Sequence, residues 1–232
     1  MKEPDIWIEH RKSVQLAEPI AIVGSPGLRS IGKLAVESLI SETKAELIAE
    51  LYSSHMPSIY QTAPSYAANP LYPGEGGALI ESATVDLPKI RFYACTAPEL
   101  ILVAGYHPNF EGQYRVAEQV ASFLFENHVK RMIVVAGYGA KLKNVVCAAN
   151  NPELIKEMKE KYSIEVGYHG PFMGFSGLVF GLAGQKNIEA LSLFAATTPT
   201  ETDLEFPDKE ASERVLEDVR KIVKLEKTKS AQ

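Results

Sequence analysis

Short apolar runs rich in β-branched residues alternate along this chain with stretches whose apolar positions recur at helical spacing. That alternation leaves few folds open. Strands separated by amphipathic helices build a sheet buried on both faces, so the pattern predicts one α/β domain over residues 1–232. The expected architecture is a three-layer sandwich, a mostly parallel sheet flanked by helices.

The first unit is a buried strand over 19–24, then a helix from about Gly27 to Thr43 with Ile31, Leu34, Ala35, Ser38 and Leu39 on one face. A strand is expected over 45–52. Residues 78–85 and 90–96 suggest a hairpin turning at Leu87-Pro88. Further strands are expected at 100–105, 131–136, 164–167 and 188–196. Helices are expected over 112–127, from Asn151-Pro152-Glu153 onward with Asn as cap, over 174–185, and from Pro207-Asp208 with Val215, Val219, Ile222 and Val223 on one stripe. Between these units, residues 53–77 form a proline-rich excursion carrying Tyr60, Tyr66 and Tyr72, which is read as a binding loop. The Lys- and Glu-rich end should fray from about residue 228.

Lys and Arg number 24 against 29 Asp and Glu, a net charge of −5. That balance argues against a nucleic-acid partner or an anionic membrane surface. No apolar run is long enough to span a bilayer. The two cysteines, Cys95 and Cys147, lack CxxC spacing, and no signal-peptide pattern precedes residue 20, so a cytoplasmic setting is expected. Cys147, in an apolar Val-Val-Cys-Ala run, reads as a buried, inert thiol.

In open α/β sheets ligands collect where parallel strands end, which directs attention to four segments. They are Gly24-Ser25-Pro26-Gly27, the stretch from His107 to Gly112, Gly137-Tyr138-Gly139, and Thr197-Thr198-Pro199. Gly27 with Gly32-Lys33 has the frame of a phosphate-binding loop, but Leu34 stands where magnesium needs a hydroxyl ligand, so ATP with magnesium is not expected. An anion pocket is expected at Gly24, Ser25, Gly27, Arg29 and Ser30, with Gly137, Tyr138, Gly139 and Thr198 across from it. For catalysis the candidates are His107 with Glu111 as orienting carboxylate, and His169 across the cleft. No histidine pair has metal-ligand spacing; neither a metal nor another cofactor is expected. Asp203, Glu205 and Asp208 read as a helix cap with solvated charge. The glycine-rich helix, through Phe175, Leu178, Val179 and Leu182, is expected to present a surface for a second copy of the chain.

Gly24-Ser25-Pro26-Gly27 with Ile31-Gly32, Leu102 to Gly105 followed by Pro108 and Gly112-Gln113-Tyr114, and Val134 to Gly139 occur in a particular order. Gly170, Gly174 to Gly181, Ala196 to Pro199, and Pro207-Asp208 with Ala211 continue it. In that order the chain resembles the PAC2, or proteasome assembly chaperone, family in its archaeal branch. The resemblance implies a phosphorylase- and hydrolase-like α/β domain, frequent self-association, and in some members the escort of proteasome α subunits. Chaperones that engage the assembled ring by their tails end in a hydrophobic residue, a tyrosine and one more residue. This chain ends Lys229-Ser230-Ala231-Gln232, so any contact with α subunits is expected through the folded surface. The leading expectation is a self-associating, non-enzymatic scaffold. The alternatives are a nucleoside- or phosphate-type hydrolase or phosphorylase using the strand-end cleft, and a ligand-binding module without turnover.

Overall fold

A computed structural model describes residues 5–57, 78–198 and 206–226. The chain runs β1 (Ile6–His10), β2 (Ile20–Gly24), α1 (Ile31–Thr43), β3 (Glu46–Ser53), β4 (Leu79–Glu81), β5 (Thr84–Asp86), β6 (Ile90–Thr96), β7 (Glu99–Ala104) and α2 (Gln113–Glu126). It continues through β8 (Arg131–Gly139), β9 (Val145–Ala149), α3 (Pro152–Tyr162), β10 (Glu165–Val166), α4 (Gly174–Gln185), β11 (Glu189–Thr197) and α5 (Lys209–Val223). Nine strands form one sheet in the order β1-β3-β6-β7-β2-β8-β11-β9-β10; β4 and β5 pair apart from it.

The sheet is less parallel than its sequence suggests. Only the central run β7-β2-β8-β11 and the β9-β10 pair are parallel; β1-β3, β3-β6, β6-β7 and β11-β9 are antiparallel. Connection length is the cause. Two residues, Ala97 and Pro98, join β6 to β7, too few for a crossover, so the chain must reverse. The expected hairpin is corrected by the same pairing: β6 turns into β7, while residues 79–86 close on themselves as β4-β5.

Period-2 alternation sends side chains to opposite faces. Ala21 and Val23 of β2 enter a core with Val116, Val120 and Leu124 of α2 and Phe175 and Val179 of α4. Ile22 enters the other core, with Ile31, Ala35 and Leu39 of α1, Met158 of α3, and Val215 and Val219 of α5. The α1 stripe is rotated from its expected place: Val36 and Gly32 are buried, Leu34 and Ser38 only half-buried. Close approach explains the shift. A Cβ on Gly32 would lie 2.3 Å from the Val135 carbonyl oxygen, and one on Gly24 would lie 2.1 Å from the Gly32 oxygen, so bare backbone lets α1 sit against β2 and β8.

Helix starts follow their local chemistry where capping residues exist. The Asn151 side chain accepts from the Leu154 N–H at 2.9 Å with Pro152 at the first helical position, and Asp208 accepts from the Ala211 N–H at 2.9 Å. Two strands carried no clear signal. β1 is held by β3, and β9, the Val-Val-Cys-Ala run, by β11. Burial pushes the Cys147 thiol up to about 11, which makes it inert at neutral pH. Tyr60, Tyr66, Tyr72, Asp203, Glu205 and the tail from 228 lie outside the described residues, as does most of the 53–77 excursion.

Candidate functional site

Parallel strands β2, β7, β8 and β11 end on the same edge of the sheet, and the segments leaving them enclose a cavity of about 370 Å3. Such strand ends are where open α/β sheets hold ligands. Ser25 and Gly27 follow β2, His107 follows β7, and Gly137 to Gly139 close the side of β8. The last three are strand rather than loop, because β8 stays paired with β11 out to Gly139 opposite Thr197. The opposite wall comes from the segment ahead of α4. There the Tyr168 ring stacks on Phe194 at 4.3 Å and 11°, and Phe172 meets Phe194 edge-on at 4.8 Å.

Polar groups on the wall are satisfied sparingly. The Ser25 and Ser176 hydroxyls share a 2.8 Å hydrogen bond, Gln113 donates to the Pro108 carbonyl at 3.0 Å, and the Tyr168 hydroxyl donates to the Pro171 carbonyl at 2.7 Å. His107 Nε2 is shut off from solvent and has no partner among the described residues. Burial pushes the His107 pKa down to about 4, leaving the imidazole neutral at physiological pH. Among the described residues, no Asp, Glu, Lys or Arg lines the cavity.

Of the anticipated pocket residues, Ser25, Gly27, Gly137, Tyr138 and Gly139 reach the wall; Gly24, Arg29, Ser30 and Thr198 do not. Gly24 lies beneath α1 as a packing residue. Arg29 turns away to the start of α5, donating to the Asp208 carboxylate at 3.2 Å, the Thr197 hydroxyl at 3.1 Å and the Phe206 carbonyl at 3.0 Å. Its charge is therefore used in joining α1 to α5. Ser30 donates its N–H to the Gly27 carbonyl, and the Thr198 hydroxyl donates to the Ala140 carbonyl. Lys33 of the loop-like frame pairs with Glu37 at 3.3 Å and is off the wall.

The histidine candidates separate. His107 is on the cavity wall, but Glu111 is exposed and makes no hydrogen bond to it, and His169 is exposed and outside the lining. Phe175, Val179 and Leu182 are corrected outright as surface residues. They are buried within the subunit against α2, because they occupy the inward stripe of α4, and only Leu178 of the four is half-buried. Tyr168, Phe172, Phe194 and Gln113 were not anticipated. The aromatic cluster around Gly170-Pro171 was a usable signal for two of them; Phe194 lies mid-strand and becomes a wall residue only through tertiary folding.

Fold and site together define a mixed α/β protein that has, among the described residues, a nine-stranded sheet, five α-helices and a cavity at its parallel strand ends lined by no charged side chain. The PAC2 family model matches residues 21–230, and the chain belongs to that family. Among curated proteins, the uncharacterized protein MJ1210 of Methanocaldococcus jannaschii is 27% identical over 218 residues, 91% of this chain and 76% of that one. The crystal structure of Pyrococcus furiosus PbaB, an archaeal proteasome activator, matches with TM-score 0.78 and 27% identity, covering 97% of this chain and 91% of that one. That of Pyrococcus furiosus PbaA, an archaeal homolog of proteasome-assembly chaperone, matches with TM-score 0.73 and 20% identity, covering 96% of this chain and 88% of that one. At that identity the PbaA likeness speaks to fold alone.

Proposed function

We propose that this chain is a proteasome-assembly-chaperone-like scaffold, self-associating and non-enzymatic, that engages proteasome α subunits through its folded surface. The observation that carries the reading is the match to PbaB, the archaeal proteasome activator, over 97% of the chain at 27% identity. Exposed apolar side chains on the described surface suit it: Phe110 is 67% exposed and Met173 66%, both at the cavity rim, with Tyr114 at the start of α2 51% exposed. Isolated apolar residues are common on surfaces, but aromatic and Met side chains grouped at one rim are typical of contact patches. Helices on both faces of the sheet support the finer reading of residues 1–232 as a single three-layer domain of phosphorylase or hydrolase type.

Purified protein is to be mixed with isolated archaeal α subunits and with assembled 20S particles, and complexes are to be read by native mass. A defined complex with either, together with an oligomeric mass for the chain alone by light scattering, is the expected result. No complex with either, or a strictly monomeric mass at micromolar concentration, overturns the corresponding half of the reading.

A further inference from the structure

The two edges of the nine-stranded sheet are built differently. One edge is β10, only Glu165 and Val166, so short that it offers little to another strand; the other is β1, five residues long, with no proline, lysine or bulge to blunt it. Among the described residues, nothing pairs with the outer side of β1. Two hydrogen bonds fix which of its groups point outward. The Asp5 carbonyl accepts from the Ser54 N–H at 3.0 Å, and the Arg11 N–H donates to the Ile48 carbonyl at 2.8 Å, so residues 5, 7, 9 and 11 are the ones bonded to β3. The backbone N–H and C=O groups of Ile6, Ile8 and His10 therefore face away from the sheet.

A second copy of the same strand complements those groups in one register. Pairing β1 with itself antiparallel about Ile8 sets Ile8 opposite Ile8 and Ile6 opposite His10, which engages every outward-facing residue of both copies. The same register sets Trp7 opposite Glu9, and the exposed Asp5 opposite the exposed Arg11, an opposite-charge pair that the two-fold axis repeats. Registers two residues away lose both advantages. One sets Asp5 against Glu9 and the other Glu9 against Glu9, like charges directly opposed, and each leaves an outward residue of the strand unpaired. A slip by one residue would bring outward groups of one copy against inward groups of the other. Trp7, 40% exposed and stacked on Tyr52 at 5.4 Å, shares the face of Asp5 and Arg11, so the central register also covers an exposed ring.

We propose that β1 is where two copies of this chain join, their sheets running on as one across an antiparallel seam centred on Ile8. This rests on the self-association half of the reading above and gives that association a place. The antiparallel arrangement lets both copies use the strand identically, as a closed two-fold pair requires. Once β1 is paired, each end of the joined sheet is the two-residue β10, so this edge joins two copies and no more.

The test is disulfide cross-linking of the full chain, with the single variants Trp7→Cys and Glu9→Cys mildly oxidised separately and mixed. In the proposed register these two positions face each other at a Cα separation of about 4.5 Å, within disulfide reach, whereas each lies about 7 to 8 Å from its own counterpart, beyond it. The mixture is expected to give a covalent dimer joined from position 7 to position 9, located by peptide mass, about tenfold more than either variant alone. Two further variants are read by light scattering beside the parent chain. Ile8→Pro removes an outward N–H but no bond to β3, so the fold should hold while the oligomeric mass at least halves. Asp5→Arg, at an exposed position, sets like charges opposite and should weaken association about tenfold. An oligomeric parent whose mixed variants do not cross-link, or whose folded Ile8→Pro and Asp5→Arg variants keep the parental mass and affinity, overturns the β1 contact and leaves self-association standing. Cross-links that form equally in the separate samples overturn it as well, and a monomeric parent overturns both readings.

Discussion

Replacing Glu50 by glutamine should cost about 3 kcal/mol at neutral pH. Glu50 lies in β3, between β1 and β6, and its side chain is only 6% exposed. One carboxylate oxygen is 2.8 Å from Lys89 Nζ, itself 8% exposed, and the other accepts from Arg11 Nε at 2.6 Å and from the Tyr52 hydroxyl at 3.3 Å. Arg11 is 43% exposed, so its share is largely screened and the buried Lys89 pair sets the cost. Removing one partner of a buried pair typically costs about 3 to 5 kcal/mol. The lower end applies here, because Lys89 keeps Asp86 at 2.6 Å and the glutamine oxygen still accepts. For a chain of this length that is a fall in Tm of about 6 to 12 °C. Burial alone would raise the Glu50 pKa, but hydrogen bonds from Lys89 and Arg11 hold it below the ordinary glutamate value. A depressed folded pKa gives stability that is present above the unfolded value, about 4.3, and lost as pH falls through the folded one. Wild type and Glu50→Gln should therefore differ fully at pH 6 to 8 and converge below about pH 4. Urea denaturation across that range is the assay. A loss under about 1 kcal/mol at pH 7, or a difference that persists in acid, would refute the reasoning. The double variant Glu50→Leu with Lys89→Met should recover most of the loss, since it leaves no buried charge unpaired.

Gly32→Ala should destabilise by about 1 to 3 kcal/mol, because its Cβ would meet the Val135 carbonyl oxygen at 2.3 Å; Gly181→Ala, with nothing within 4 Å, should stabilise α4 by about 0.5 to 1 kcal/mol, and paired thermal melts with opposite signs are the check. Phe175→Ala should cost about 3 to 5 kcal/mol in chemical denaturation, as expected for a fully buried ring; a loss below about 1 kcal/mol would place that ring outside the core. Asp208→Asn should cost about 1 to 2 kcal/mol, keeping an oxygen for the Ala211 N–H but losing the charge that faces Arg29. Burial opposes ionisation of Asp208, but bonds from Thr197 and Ala211 and the nearby Arg29 hold its pKa low, so this difference too should shrink in acid denaturation below about pH 4.

Local pattern settled where the helices and most of the buried strands fall, because periodicity and capping are properties of neighbours in sequence. Asn151-Pro152 and Pro207-Asp208 opened α3 and α5 for reasons visible in a few residues, and the apolar run before Gly24 became β2. The lines that mark the chain as a PAC2 protein were legible in the same way. Strand direction and neighbours were not, since they depend on which distant strand offers a free edge. β9 is a strand because β11 presents one, and β6 reverses into β7 because two residues cannot cross the sheet. The candidate site divides along the same line. Ser25, Gly27 and Gly137 to Gly139 follow from where parallel strands end, a rule that operates on sequence order. The fate of Arg29 followed from Asp208, a residue 179 positions away, and the direction of Phe175 and Val179 from the arrival of α2 on the same face of the sheet. Phe194 became part of a binding wall only because Tyr168 and Phe172 were carried onto it. Side-chain direction is decided by whichever partner reaches it in three dimensions, and that partner is set by packing rather than by adjacent residues.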